Sequence, residues 1–356
     1  MEDVRRLVRS HLTKYPGMEV DDCLKLLYQG ELGGGHLIED EAAFAARLSE
    51  ELATPGLFTA APPVPEPVGE GLCRVHLSAL ESGPGVPVLA RLCALSAARA
   101  KGQGSPERLA EKLRAFAAMD DGSLPWPQDT ARRRVEAYLA EGCPALHHSE
   151  RYRRLYAPHY RLMDAGQALF LSVFAAVDRA MARRPHVLVG IDGMCASGKS
   201  TLADLLARVY GCGVVRADDF FLQPHQRSPE RLAAPGGNID YERLAPVARQ
   251  AAEDRPFRYQ TYDCGEGRLG DWRDIPAGPL TLLEGAYCLH PQVAAPCDLR
   301  VFLWQDADCQ MARLRRRSPD LAERFRQEWI PMENRYFAAF GIREGCDLVL
   351  DTTGLG

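Results

Sequence analysis

The chain has 356 residues, 46% of them hydrophobic and 26% charged, the proportions of an ordinary soluble globular protein. That length exceeds a single typical core, so two domains are expected. A net charge of −5 and a pI near 6.0 exclude the basic footprint of a general nucleic-acid binder.

The first residues, Met1-Glu2-Asp3-Val4-Arg5-Arg6, have no apolar signal core behind them. The 11 cysteines are odd in number, scattered and without a C-x-x-C pair, so reduced thiols in a cytoplasmic protein are expected. Val4, Leu7, Val8 and Leu12 have helical spacing, and residues 20–27 read as a second helix with Asp21 and Asp22 in its first turn. Gly33-Gly34-Gly35 ends that helix and is followed by His36, which is either a ligand or base in a glycine-rich loop or a packed or solvent-facing histidine. Residues 55–67 read as an exposed proline-rich loop, and 72–77 alternate as a strand does. Helices are expected over 88–100, 106–118 and 130–140, the second opened by Ser105 with Pro106 at its first position. Asp120-Asp121-Gly122 reads as a turn whose carboxylates cap or are solvated.

Residues 144–160 bring together His147, His148, Glu150, Arg151, Tyr152, Arg153, Arg154, Tyr156, His159 and Tyr160. Arginine with tyrosine suits a phosphate or a base face, and the same pattern suits an amphipathic helix with a solvated basic side. His147 and His148 with His36 lack the spacing of a zinc site. Residues 165–184 read as one long apolar helix, too short in its apolar run to span a bilayer, so no membrane partner is expected. The expected organisation is a mostly helical domain over 1–145, a helical connector docking the two halves over 146–184, and a second domain over 185–356.

The second domain opens on the strand-length run His186-Val187-Leu188-Val189-Gly190-Ile191. Gly193-Met194-Cys195-Ala196-Ser197-Gly198-Lys199-Ser200 follows and fits G-x-x-x-x-G-K-[ST], the phosphate-binding loop. Thr201 begins a run with helical spacing, so the order is strand, loop, helix, as the motif requires. Glycines let backbone N–H groups approach phosphate oxygens, and the helix start adds its positive dipole end. Gly193, Ala196, Ser197, Gly198, Lys199, Ser200 and Thr201 are therefore candidate ATP contacts, with Lys199 on the phosphates and the Ser200 hydroxyl on Mg²⁺.

Further strands are expected at 213–216, 280–283, 299–303 and 347–350, giving an α/β P-loop sheet with helices on both faces. Asp218 and Asp219 follow the first of these, on the side where open α/β sheets bind ligands, although Asp218 could instead cap a helix. Glu284 ends the next strand, placed as a carboxylate that holds Mg²⁺ beside the loop.

Residues 186–353 resemble the uridine kinase family of nucleoside kinases and its relatives that phosphorylate pantothenate or nicotinamide riboside. Gly190-Ile191-Asp192-Gly193 through Thr201 is similar to the family's phosphate loop, and Asp218-Asp219-Phe220-Phe221 to its Asp-x-Phe-Tyr element. Asn238-Ile239-Asp240, Tyr262-Asp263, Leu283-Glu284-Gly285 and Asp306-Ala307-Asp308 are similar to its ribose-binding, base-side, metal-holding and lid elements. The resemblance implies an ATP- and Mg²⁺-dependent kinase acting on a small molecule with a free hydroxyl. Asp218 would be the base, Asp240 would hold neighbouring hydroxyls, and Tyr262 would lie against the acceptor. Asp219 and Arg268 complete the candidate substrate residues. Arg313, Arg316 and Arg317, at helical spacing i, i+3, i+4, would close on the phosphates from the lid.

Several features depart from the family. Cys264-Gly265-Glu266-Gly267-Arg268 holds no histidine where the family reads a base, and Tyr241-Glu242 replace a His-Pro. Alternatives from the residues alone are a cap role for Asp240, packing for Tyr262 and a solvated face for the arginines. A different class of reading makes the P-loop half a nucleotide-binding regulator of the first half, and a third centres an enzyme on His36.

Overall fold

The computed structural model describes residues 2–35, 38, 40–54, 64–80, 83–119, 122 and 124–354. His36, Asp120 and Asp121 lie outside the described residues. The chain divides into two compact units, Met1–Leu171 and Ser172–Gly356.

The first unit contains α1 (Glu2–Lys14), α2 (Val20–Leu32), α3 (Glu41–Leu52), β1 (Glu66–Gly69), β2 (Leu72–His76), α4 (Val86–Gln103), α5 (Pro106–Ala117), α6 (Gln128–Ala140), α7 (Glu150–Tyr156), β3 (Tyr160–Asp164) and α8 (Ala165–Leu169). Side-chain caps start several helices: Asp40 accepts from Ala43 N at 2.6 Å, and Ser105 from Arg108 N at 3.3 Å with Pro106 at the first position. Val4, Val8 and Leu12 of α1 pack with Leu24 and Leu27 of α2, Leu109, Leu113 and Phe116 of α5, and Val135 and Tyr138 of α6. Each such buried side chain contributes roughly 1.5–3 kcal/mol.

Two sequence expectations change here. The antiparallel sheet β1-β2-β3 draws Pro67 into a strand where a loop was expected, and β3 comes from the stretch assigned to a helical connector. The long helix expected over 165–184 is broken. Asp164 ends β3 and caps α8 through Gln167 N at 3.1 Å, and Phe170 leaves helical geometry at φ −89°, ψ 1° before α9 (Leu171–Met181) begins. Residues 150–169 are thus elements of the first unit, and α9 lies almost wholly in the second.

After α9 the second unit continues with β4 (Val187–Gly193), α10 (Lys199–Tyr210), β5 (Gly213–Arg216), α11 (Pro229–Ala233), α12 (Tyr241–Ala251), β6 (Phe257–Asp263), β7 (Arg268–Ile275), β8 (Leu280–Glu284), β9 (Leu299–Trp304), α13 (Ala307–Arg317), α14 (Ala322–Arg324), α15 (Ile330–Phe340) and β10 (Leu348–Asp351). A π turn, Phe325–Trp329, joins α14 to α15. Five strands form a parallel sheet in the order β10-β9-β4-β8-β5. Every residue of β4 is buried, as befits a central parallel strand covered on both faces. β6 and β7 form a separate antiparallel hairpin, turned at Asp263, whose Oδ1 accepts from Gly265 N at 2.8 Å and Glu266 N at 3.0 Å. Among the described residues no helix is long and apolar enough to cross a membrane.

Candidate active site

The site begins where β4 ends. Gly193 has φ +139°, and a Cβ there would lie 2.1 Å from the Leu303 carbonyl oxygen of neighbouring β9, so only glycine fits. Asp192 is fully buried and accepts from Gly193 N at 2.7 Å, Leu289 N at 3.0 Å and Tyr336 Oη at 2.9 Å. Burial pushes its carboxyl above the usual carboxylate range. The loop then turns through left-handed backbone at Ala196 (φ +60°) and Gly198 (φ +95°) into α10. For Ala196 that conformation costs about 1 kcal/mol, which the surrounding contacts must offset. Glu333 on α15 supplies one such contact: its Oε2 accepts from Cys195 N at 2.9 Å.

Lys199 is the first residue of α10 and nearly buried. Its ammonium donates to Gly193 O at 2.8 Å and Met194 O at 2.9 Å, so it lies across its own loop. Ser200 Oγ donates to Glu284 Oε1 at 3.0 Å. Arg216, at the end of β5, donates to Glu284 Oε2 at 2.7 Å and pairs with Asp204 at 2.5 Å. Burial raises the Glu284 carboxyl despite the cations Lys199 and Arg216 beside it.

These groups open on a cleft of about 1020 Å³. It brings together Ala196, Gly198, Lys199, Ser200 and Thr201 of the loop, Asp218, Glu284, and Arg313, Arg316 and Arg317 of α13. Ser197 does not line it: its Oγ is buried and unpartnered among the described residues. Asp218 is exposed within the 3-10 turn Ala217–Phe220, and Arg216 rather than Asp218 occupies the cap position. Arg316 and Arg317 are exposed, the latter over the Phe325 ring at 5.5 Å. Arg313 has a second job: it donates to Gln305 Oε1 at 2.5 Å and Thr352 O at 2.7 Å, tying α13 to the ends of β9 and β10.

The four candidate substrate residues are not among the groups lining the cleft. Asp219 accepts from Tyr259 Oη at 2.7 Å and pairs with Arg273 at 2.8 Å. Asp240 is buried and caps α12, accepting from Arg243 N at 3.1 Å, while its Oδ2 has no partner among the described residues. Tyr262 is nearly buried, and its hydroxyl accepts from Arg227 Nη2 at 3.0 Å; Arg227 does line the cleft. Arg268 is exposed and pairs with Glu266. Arg216, Glu333 and the edge-on pair Phe325–Trp329, 4.4 Å between ring centres, escaped the sequence reading. Arg216 carried a usable signal, a cation two residues before Asp218 at a strand end; Glu333 lies 138 residues from its partner Cys195 and carried none.

The donor set fits a magnesium nucleotide. Ser200 Oγ and Glu284 Oε1 meet at 3.0 Å, a hydroxyl and a carboxylate oxygen of the kind a hard cation takes, and the left-handed loop beside Lys199 has the backbone form that suits a phosphate. Sheet order, loop and cleft together define a P-loop α/β domain. No family model matches the chain. Over 178 residues it is 25% identical to a chloroplastic uridine/cytidine kinase of Arabidopsis thaliana, a match covering 47% of this chain and 35% of that protein. The matched region spans about a third of the length of that curated relative. Solved structures similar to it include a possible uridine kinase from Bacillus stearothermophilus, at 19% identity and TM-score 0.37, covering 49% of this chain and 100% of that one. Another is a provisionally assigned fructose transport system kinase from Silicibacter sp. TM1040, at 21% identity and TM-score 0.39, covering 49% and 97%. On the sequence match alone, the P-loop half of the chain is similar to a kinase of the uridine kinase type.

Proposed function

We propose that the second unit transfers the γ-phosphoryl group of ATP to a hydroxyl of a nucleoside-like small molecule. The observation that carries this reading is the convergence on one cleft of Lys199, the Ser200–Glu284 pair, Asp218 and the α13 arginines. Mg²⁺-ATP supplies the phosphoryl group and the metal's charge when bound. Ser200 and Glu284 hold the metal, and Lys199 exchanges its loop carbonyls for phosphate oxygens. Arg316 and Arg317, exposed on the α13 side of the cleft, bring positive charge to the transferred group. Asp218 accepts the proton of the acceptor hydroxyl, being exposed at the cleft and uncommitted to a cap. The wall made by Phe325 and Trp329 offers apolar area for a flat acceptor group. The resemblance to a relative named for uridine and cytidine supports a nucleoside-like acceptor.

The test is a transfer screen: purified protein with ATP and Mg²⁺ against nucleosides, nicotinamide riboside, pantothenate and a metabolite pool, with Lys199→Ala as control. A phosphorylated product absent from the control supports the proposal and names the acceptor. Nucleotide binding without any product argues against it.

A further inference from the structure

The first unit holds a chain of buried and half-buried polar groups that the phosphoryl-transfer reading does not use. Asp22 Oδ1 meets His148 Nδ1 at 2.8 Å, and His148 Nε2 meets Tyr160 Oη at 2.6 Å. Tyr160 Oη in turn meets Gln29 Nε2 at 3.0 Å, and Gln29 Oε1 accepts from Arg74 Nη2 at 2.8 Å. The other acceptor positions of Asp22 are taken by Glu19 N, Ser149 N and Ser149 Oγ.

Donor and acceptor counting, with the distances and the neutral state of His148, places the protons in this chain. Asp22 is acceptor-only, its carboxyl held low by His148, Ser149 and backbone donors against the cost of burial. His148 Nδ1 must therefore carry the proton. Its Nε2 lone pair, 2.6 Å from Tyr160 Oη against 3.4 Å for Gln29 Oε1, accepts the Tyr160 hydroxyl proton, and burial keeps the imidazole neutral by lowering its pKa to about 4. Gln29 spends its oxygen on Arg74, so its NH₂ faces Tyr160. The phenol oxygen is left presenting a lone pair and no proton.

Tyr160 and Gln29 line a cavity of about 80 Å³, with Lys25, Arg161, Phe44 and Leu162 also on its wall. Arg161 is answered by Glu51. Lys25 is different: its ammonium has one acceptor, Leu146 O at 2.5 Å, and no carboxylate within ion-pair reach among the described residues. Burial lowers its pKa to about 8. No described lining residue is acidic. Asp22, beyond ion-pair reach, is the carboxylate that acts on Lys25, and Arg74 outweighs it, so a half-buried cation on this cavity wall is costly unless an anion joins it. A water needs about 10–15 Å³ of such space, so the cavity of about 80 Å³ takes a ligand of about five to eight heavy atoms.

We propose that this cavity is a second ligand site that binds a short hydroxycarboxylate, its carboxylate on Lys25 and its hydroxyl donating to Tyr160. An amino acid is disfavoured, because its ammonium would meet Lys25 and Arg161 with no acidic residue to answer it.

The test uses the full chain and ligand-observed saturation-transfer NMR with lactate, glycerate and 3-hydroxybutyrate, against propionate and lactamide as matched controls. The expected result is binding of at least one hydroxy acid, with propionate about 5-fold or more weaker than lactate, and lactamide about 10-fold or more weaker. Lys25→Met should weaken hydroxy-acid binding about 10-fold or more, and Tyr160→Phe should erase the preference for lactate over propionate. ATP binding at the P-loop should not change in either variant. No binding by any hydroxy acid at millimolar concentration, or equal binding by folded Lys25→Met, overturns the proposal. If that variant does not fold, reductive methylation of the unaltered protein decides. Protection of Lys25 by the bound hydroxy acid and not by lactamide supports the site, and unchanged labelling overturns it.

Discussion

Ser200 Oγ donates to Glu284 Oε1 at 3.0 Å, joining the first turn of the loop helix to the end of β8 across the floor of the cleft. The pair exists because β4 and β8 are hydrogen-bonded neighbours in parallel register, Ile191 beside Glu284. A loop leaving one strand and a carboxylate ending the next are thereby brought within one hydrogen bond. Ser200→Ala is expected to lower phosphoryl transfer by about 100-fold or more and to raise the Mg²⁺ concentration needed for half-maximal rate. A magnesium titration of the steady-state rate checks both.

Gly193→Ala should be poorly tolerated. The added methyl meets the Leu303 carbonyl at 2.1 Å, and that backbone cannot move without breaking the β4–β9 ladder. A loss of about 3 kcal/mol or more is expected, from a non-glycine residue at positive φ plus the overlap. Urea denaturation of the variant measures it.

The α13 arginines should separate by role. Arg316→Ala leaves an exposed position, so stability should change by less than about 0.5 kcal/mol, and Arg317→Ala, which also loses the Phe325 ring contact, by about 1 kcal/mol at most, while transfer falls in both. Arg313→Ala also removes the tie to Gln305 and Thr352, so its thermal midpoint should fall as well. Thermal melts beside kinetics for the three variants distinguish these outcomes.

The sequence disclosed the parallel sheet well, because β4, β8 and β9 are apolar runs bounded by glycine, proline or charge, and such runs have few other readings. It concealed the hairpin β6–β7, whose strands carry Arg258, Gln260, Asp271 and Asp274 and no steady apolar alternation. β3 was hidden for a similar reason: Tyr160 reads as the tail of a basic helix, and Arg161 as part of a helical connector, until β2 pairs with them. Asp240 shows the limit of motif reading, since the same residue serves as the α12 cap that plain helix rules require. Arg216 became visible only when Glu284 was brought to it from 68 residues away.

Asp240 can be tested on both counts. Asp240→Asn keeps an oxygen for the cap, so stability should change little, whereas Asp240→Ala should cost about 1 kcal/mol. If the residue also holds acceptor hydroxyls, Asp240→Asn alone should raise the acceptor KM. An unchanged KM would assign Asp240 to the cap only.

Acid should weaken the first unit in a defined window. The folded pKa of His148, about 4, lies below its ordinary 6.5, so the unfolded chain binds the proton more readily. Stability is therefore full above pH 6.5 and falls as pH drops toward 4, by roughly 3 kcal/mol from this group. The lowered His11 adds in the same direction, and the lowered Asp22 extends the loss to still lower pH. Because the raised carboxyls of Asp192 and Glu284 act in the opposite sense, the check is denaturant unfolding across pH 4–8 of the unaltered protein beside His148→Gln: the unaltered protein should lose more stability toward pH 4, and equal profiles would contradict the buried Asp22–His148 pair.

The most direct measurement compares the unaltered protein with Asp218→Asn in a transfer assay using γ-labelled ATP, Mg²⁺ and the acceptor found by screening, with ATP binding measured in parallel. The expected result is a labelled product from the unaltered protein and a loss of about 100-fold or more in Asp218→Asn with ATP affinity unchanged. Full transfer by Asp218→Asn, or ATP bound by both proteins with no acceptor labelled by either, would contradict a phosphotransferase that uses Asp218 as its base.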